Sequence, residues 1–163
     1  MTEPAKQRIV VGVHRSAASM AALRWAAAEA RLRRTTLSAV HAWEPPARRA
    51  SYAILGNSPD GERERRQAHD DLAAIIRAAF GGHVPEDITA EVAEGIAERL
   101  LVDRSRDASL LVLGAAASAG LAGRPAGPVT RACMRSARCP LVIINAAADA
   151  RPPVLSAPVG VSG

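Results

Sequence analysis

The chain has 163 residues, of which 48% are apolar and 23% charged, with a formal net charge of +5. That balance is the one expected of a single globular domain with a real core. No apolar stretch reaches the roughly 18 residues that a membrane-spanning helix needs. Aromatic residues make up only 2%, so the core must be aliphatic and alanine-rich, and the aromatic platforms of a nucleic-acid surface are missing. Nearly all of the positive charge is arginine, in clusters such as Arg31/Arg33/Arg34, Arg48/Arg49 and Arg63/Arg65/Arg66. Interleaved acids make most of these solvated helix faces. Cys133 and Cys139 stand six apart without a CxxC pair, which predicts core-filling thiols of a reducing cytoplasm rather than a disulfide or zinc framework. Met1–Arg8 has no apolar signal core, so a cytoplasmic location is expected.

Arg8–Val13 is a β-branched run with apolar residues at successive positions, the mark of a strand buried on both faces of a parallel sheet. Ser16 is placed to cap a helix over Ala17–Arg34, whose inward face carries Met20, Leu23, Ala27 and Ala30. Thr35–Ala42 reads as the second strand, closed by Trp43-Glu44-Pro45-Pro46, and residues 47–61 as a surface loop. Glu62–Phe80 is a charged amphipathic helix with Leu72, Ile75, Ile76 and Ala79 inward, stopped by Gly81-Gly82. Ile88–Val92 is a weaker third strand, and Gly95 precedes a helix over Ile96–Arg106. Ser109–Gly114 is the fourth strand, Val129–Ser136 a short helix and Pro140–Asn145 the fifth strand. From Ala146 to Gly163 the composition predicts a disordered tail.

Strands alternating with helices predict an α/β domain with a parallel sheet covered on both faces. Ligands of such sheets bind beyond the carboxyl ends of strands, which brings forward His14, Ala42 and Gly114. No catalytic constellation emerges: no Ser-His-Asp set, HExxH motif or carboxylate pair falls at the strand ends.

Several segments, in order and spacing, carry a family resemblance. They are R-I-V-V-G-V-x-x-S, A-L-R-W-A-A, V-H-A-W-E-P-P, A-E-G, A-S-L-L-V-L-G and R-C-P-L-V-I-I. Over residues 6–145 the chain resembles a single-domain universal stress protein. The resemblance implies a Rossmann-like five-stranded parallel sheet of order 3-2-1-4-5, flanked by helices. It also implies a homodimer paired through the last strand, here Pro140–Asn145, with no nucleic acid or membrane partner.

One branch of that family binds ATP through a loop of the form G-x2-G-x9-G-[S/T]. Here Gly114 matches the first glycine, Ala117 stands at the second, Gly127 matches the third, and Pro128 stands where a hydroxyl belongs, followed by Val129 and Thr130. At the end of the first strand, where binders commonly carry Asp, stands His14. The resemblance therefore implies a nucleotide-binding set of His14, Ala42, Gly114, Ala117, Gly127, Pro128, Val129 and Thr130, with no metal ligand. Proline removes one N–H at a helix start that binds anions through free N–H groups. Losing one or two bonds to a charged phosphate weakens binding by roughly 10–10⁴-fold.

His14 is expected either to bond nearby backbone, to stack on a base, or as imidazolium to meet a phosphate. Arg15 and Arg124 offer phosphate charge from outside the loop, unless they are simply solvated. Thr130 is read mainly as a helix-surface residue and His41 as filling a strand slot. Two functions follow. The first is a non-catalytic, cytoplasmic stress-response protein with weakened or lost ATP binding. The second is an adenine-nucleotide-binding module for ATP, AMP or a cyclic nucleotide.

Overall fold

The computed structural model describes residues 8–45, 59–115 and 126–146. Arg8–Gly12 forms β1, Thr36–Trp43 β2, Ile88–Glu94 β3, Ala108–Ala115 β4 and Leu141–Asn145 β5. The strands make one sheet of order β3-β2-β1-β4-β5 with every neighbouring pair parallel. The expected topology is thus observed. Between the strands run α1 (Ala17–Arg33), α2 (Pro59–Ala79), α3 (Ala97–Arg104) and α4 (Pro128–Ser136).

β1 lies at the centre, and its alternating side chains feed two half-cores, as the period of two demands. Ile9 and Val11 point to one face, with Leu37 and Ala39 of β2, Leu23, Ala26 and Ala27 of α1, and Leu72, Ile75 and Ile76 of α2. Val10 points to the other, with Val40, Leu111, Leu113, Leu101 of α3 and Cys133 of α4. Alanines at 22, 26 and 30 line the buried side of α1, which lets the helix lie close on the sheet. A one-residue register shift between β1 and β4 at Arg8/Ile9 is closed by the Ser109 hydroxyl, which donates to the Arg8 carbonyl at 3.1 Å.

Element ends differ from the sequence reading in ways that backbone bonding explains. Residues 59–61 are the first turn of α2 rather than loop, and the rest of the expected loop lies outside the described residues. Arg34 is not helical: it adopts φ 53° as a left-handed cap, donating to Arg31 O, while Thr35 N–H reaches Ala30 O. That pair of bonds is a Schellman closure made without glycine. At the end of α2 the same closure uses Gly81 and Gly82, at φ +68° and +100°, with Gly82 N–H donating to Arg77 O. Ile96 is an exposed N-cap, and α3 stops at Arg104 before a single 3₁₀ turn, Ser105–Asp107. β1 ends at Gly12, β2 runs to Trp43, β3 reaches Glu94 and β4 spans Ala108–Ala115. Pro140 precedes β5 and Pro128 opens α4. The expected tail lies outside the described residues apart from Ala146.

Candidate functional site

The carboxyl ends of β1, β2 and β4 meet the first turn of α1. Beyond β1, Val13 N–H still donates to Val40 O at 2.8 Å, so the sheet guides the chain as far as His14. The turn into α1 is then held by two serines. Ser16 caps the helix: its side-chain oxygen accepts from Ser19 N–H at 3.1 Å. The Ser19 hydroxyl in turn accepts from His14 N–H at 2.9 Å. Ser19 is fully buried, a position the sequence reading did not single out. Its signal was a second serine three places after the N-cap, where a side chain can reach back to the preceding turn.

Gly114, at the end of β4, lies against this turn. A Cβ there would stand 2.3 Å from the Ala18 carbonyl group and 2.5 Å from Ser19 N. Backbone cannot yield to that extent, so glycine is required for α1 to seat on the sheet whatever else it permits. Gly127 is different. It is the N-cap of α4 at φ −60° and ψ 164°, and a Cβ on it would meet nothing within 4 Å. Neither its conformation nor its described neighbours demand glycine. Pro128 follows at the first helical position, with no side-chain cap behind it. Helical geometry leaves the N–H groups of Gly127, Val129 and Thr130 without an intrahelical acceptor, and Pro128 has none to offer. Thr130 is 7% exposed, which corrects the expectation of a surface residue: it faces inward beside Cys133, while Val129 is half-buried. Ala117 and Arg124 lie outside the described residues.

His41 lies on the face of β2 that carries Leu37 and Ala39, and its Nδ1 is 2.9 Å from Val13 O. A carbonyl only accepts, so Nδ1 carries a proton and donates it to Val13 O. The histidine fills its strand slot with its ring held by that bond. Ala42, next along, pairs with Ala93 of β3 and is half-buried. His14 is exposed at the strand end, yet partial desolvation, with the nearby His41 as a lesser cause, lowers its pKa below the usual 6.5. That shift disfavours the imidazolium form in the ligand-free chain. Its main chain, by contrast, is bonded to Ser19 and Ser16, the latter through Ser16 N–H to His14 O at 2.9 Å.

Arg15 is an exposed cation, as the solvated reading expected, but it is not without a partner. Its guanidinium pairs with Asp71 of α2, which also accepts from Gln67 at 3.0 Å. The Gln67 and Arg15 bonds hold the Asp71 carboxyl below its ordinary pKa. Sequence gave no sign of Asp71, because α2 carries many acids and nothing local marks the one facing α1. The thiols are free, and burial pushes Cys133 up to about 11 and raises Cys139 as well, so neither is a ready nucleophile. Among the described residues no group of three or more His, Cys, Asp or Glu is arranged to hold a metal ion.

The family model described as the universal stress protein family matches residues 6–145. The chain belongs to the universal stress protein family. A universal stress protein of Mycobacterium tuberculosis is 35% identical over 162 residues, covering 95% of this chain and 54% of the relative. The chain thus spans about half the length of the curated relatives it matches. Among solved structures, a universal stress protein in complex with cAMP aligns with TM-score 0.60 at 19% identity, covering 87% of this chain and 98% of that one. A family member from Arabidopsis thaliana with AMP bound aligns with TM-score 0.56 at 17% identity, covering 91% and 97%. These likenesses show that the chain shares the fold of these proteins.

Proposed function

We propose that this universal stress protein domain is a non-catalytic regulatory module whose strand-end cleft takes an adenine nucleotide, with one phosphate accommodated better than three. The observation that carries it is the start of α4. Gly127 is open and unneeded for packing, as an approaching ligand would require, yet Pro128 has taken away the first helical N–H and the hydroxyl of the family loop. Val129 and Thr130 keep their N–H groups, enough for one phosphate and short of what a triphosphate engages. The AMP and cAMP complexes of structural neighbours support an adenine ligand of that size.

A non-catalytic role is supported by the commitment of polar groups around the cleft. His41 is bonded to Val13, Ser19 to the turn and Arg15 to Asp71, so no paired nucleophile and base stands among them. A cytoplasmic stress response is proposed on family membership and on the free thiols of Cys133, which is buried, and Cys139, which is half-buried. No described helix is long and apolar enough to cross a membrane. Homodimer formation along the β5 edge is proposed on the family resemblance.

Calorimetric titration of AMP, cAMP and ATP into the purified chain tests the nucleotide preference. The expected order is AMP or cAMP tighter than ATP, by roughly tenfold if one charged bond is missing. ATP binding tighter than AMP contradicts the proposal, as does no heat with any of the three.

A further inference from the structure

The net charge of the chain is unevenly placed. Residues 108–148 contain Arg124, Arg131, Arg135 and Arg138 and no aspartate or glutamate. Three of these lie on or directly after α4 and are exposed, with Met134 among them at 64% exposure. Elsewhere Arg15, Arg31, Arg33, Arg65, Arg104 and Arg106 each meet a carboxylate. Among the described residues Arg131, Arg135 and Arg138 have no carboxylate partner.

The fold gains nothing from this arrangement. Arg131 and Arg135 are four apart on one helix face, where like charges repel. Arg131 also sits in the first turn, the positive end of the helix dipole, and α4 has no acid there to offset it. The opposite side of α4 is spoken for: Thr130 and Cys133 are buried, and Val129 and Ala137 pack on the half-core shared with α3. Position is also fixed at the far end. Arg138 N–H donates to the buried Ser105 hydroxyl at 2.8 Å, so the row of cations rests on anchored backbone.

We infer that the outer face of α4 is a docking surface for an acidic, extended peptide segment of a different protein. Charge complementarity selects the sign. Spacing selects the form: Arg131 and Arg135 are about 6 Å apart along the axis, close to the roughly 6.8 Å between same-face side chains of an extended strand. Met134 supplies an adaptable apolar contact between the cations. A nucleic acid would find no aromatic residue on α4 to stack on. One exposed methionine is too little for insertion into a bilayer surface. A second copy meeting this face two-fold would set the same arginines against each other, since an isologous contact presents one patch to itself.

Fluorescence anisotropy with a fluorescein-labelled peptide carrying glutamates at alternate positions and one central leucine tests this. The glutamate peptide is expected to bind at low salt and to weaken as salt rises, while its glutamine counterpart does not bind. The pair Arg135→Gln/Arg138→Gln, which leaves the first turn of α4 intact, should weaken binding by about three- to tenfold, as two exposed charge pairs allow. The same pair should leave the melting temperature and any AMP binding unchanged, which separates this surface from the strand-end cleft. Equal binding of the glutamine peptide, or unchanged affinity in the double variant, overturns the inference. So does stronger binding of a single-stranded oligonucleotide or of phosphatidylglycerol vesicles than of the peptide. Self-association that the double variant abolishes in sedimentation would assign the face to a second copy and overturn it equally.

Discussion

At Gly114 one atom decides whether the domain closes. Gly114→Ala drives a methyl into the backbone of Ala18 and Ser19, and helix start and strand end cannot both hold their places. Overpacking of this kind costs about 3 kcal/mol, so thermal denaturation should show a loss of several degrees or failure to fold. Gly127→Ala meets no described atom and should leave the melting temperature unchanged within error. His14 makes a second residue-scale prediction. Folding lowers its pKa, so protonation favours the unfolded chain. Its contribution is whole above the ordinary value of 6.5 and is lost as pH falls through the lowered one. His14→Gln should therefore flatten the fall in melting temperature between about pH 7.5 and pH 5.5. An unchanged slope would show that the ring is not desolvated.

Elements were read from sequence wherever periodicity and capping chemistry agreed. Ser16 before an alanine-rich face predicted α1, and Ser16→Ala should cost about 1 kcal/mol, read as a drop of a few degrees on melting. Leu72, Ile75, Ile76 and Ala79 were placed inward on α2 by their spacing and are all buried. What periodicity missed were ends and long-range partners. Arg34 takes a left-handed cap through bonds to Ala30 and Arg31 that its residue type does not announce. Asp71 matters through a neighbour fifty-six residues away, and no local pattern encodes such a pairing. Gly114 was read as the strand-end glycine that begins the loop pattern, but the close approach of α1 that requires it exists only once the sheet is assembled.

For the whole molecule, sheet order places the ends of β1, β2 and β4 near the start of α1. Topology alone was enough to name His14, Ala42 and Gly114 as strand-end residues. Their chemistry was not, since it depends on which groups are already bonded: His41 to Val13, Arg15 to Asp71, Ser19 to His14. The proposed nucleotide site is poor in charge and rests on the N–H groups at the start of α4. Restoring the missing donors is therefore the most direct measurement. ATP and AMP should be titrated calorimetrically into the chain and into an Ala117→Gly/Pro128→Ser double variant. ATP affinity should rise at least about tenfold in the variant, as one or two regained charged bonds require, with AMP affinity nearly unchanged. ATP affinity that stays the same, or AMP and ATP rising together, would contradict a site limited by its phosphate donors.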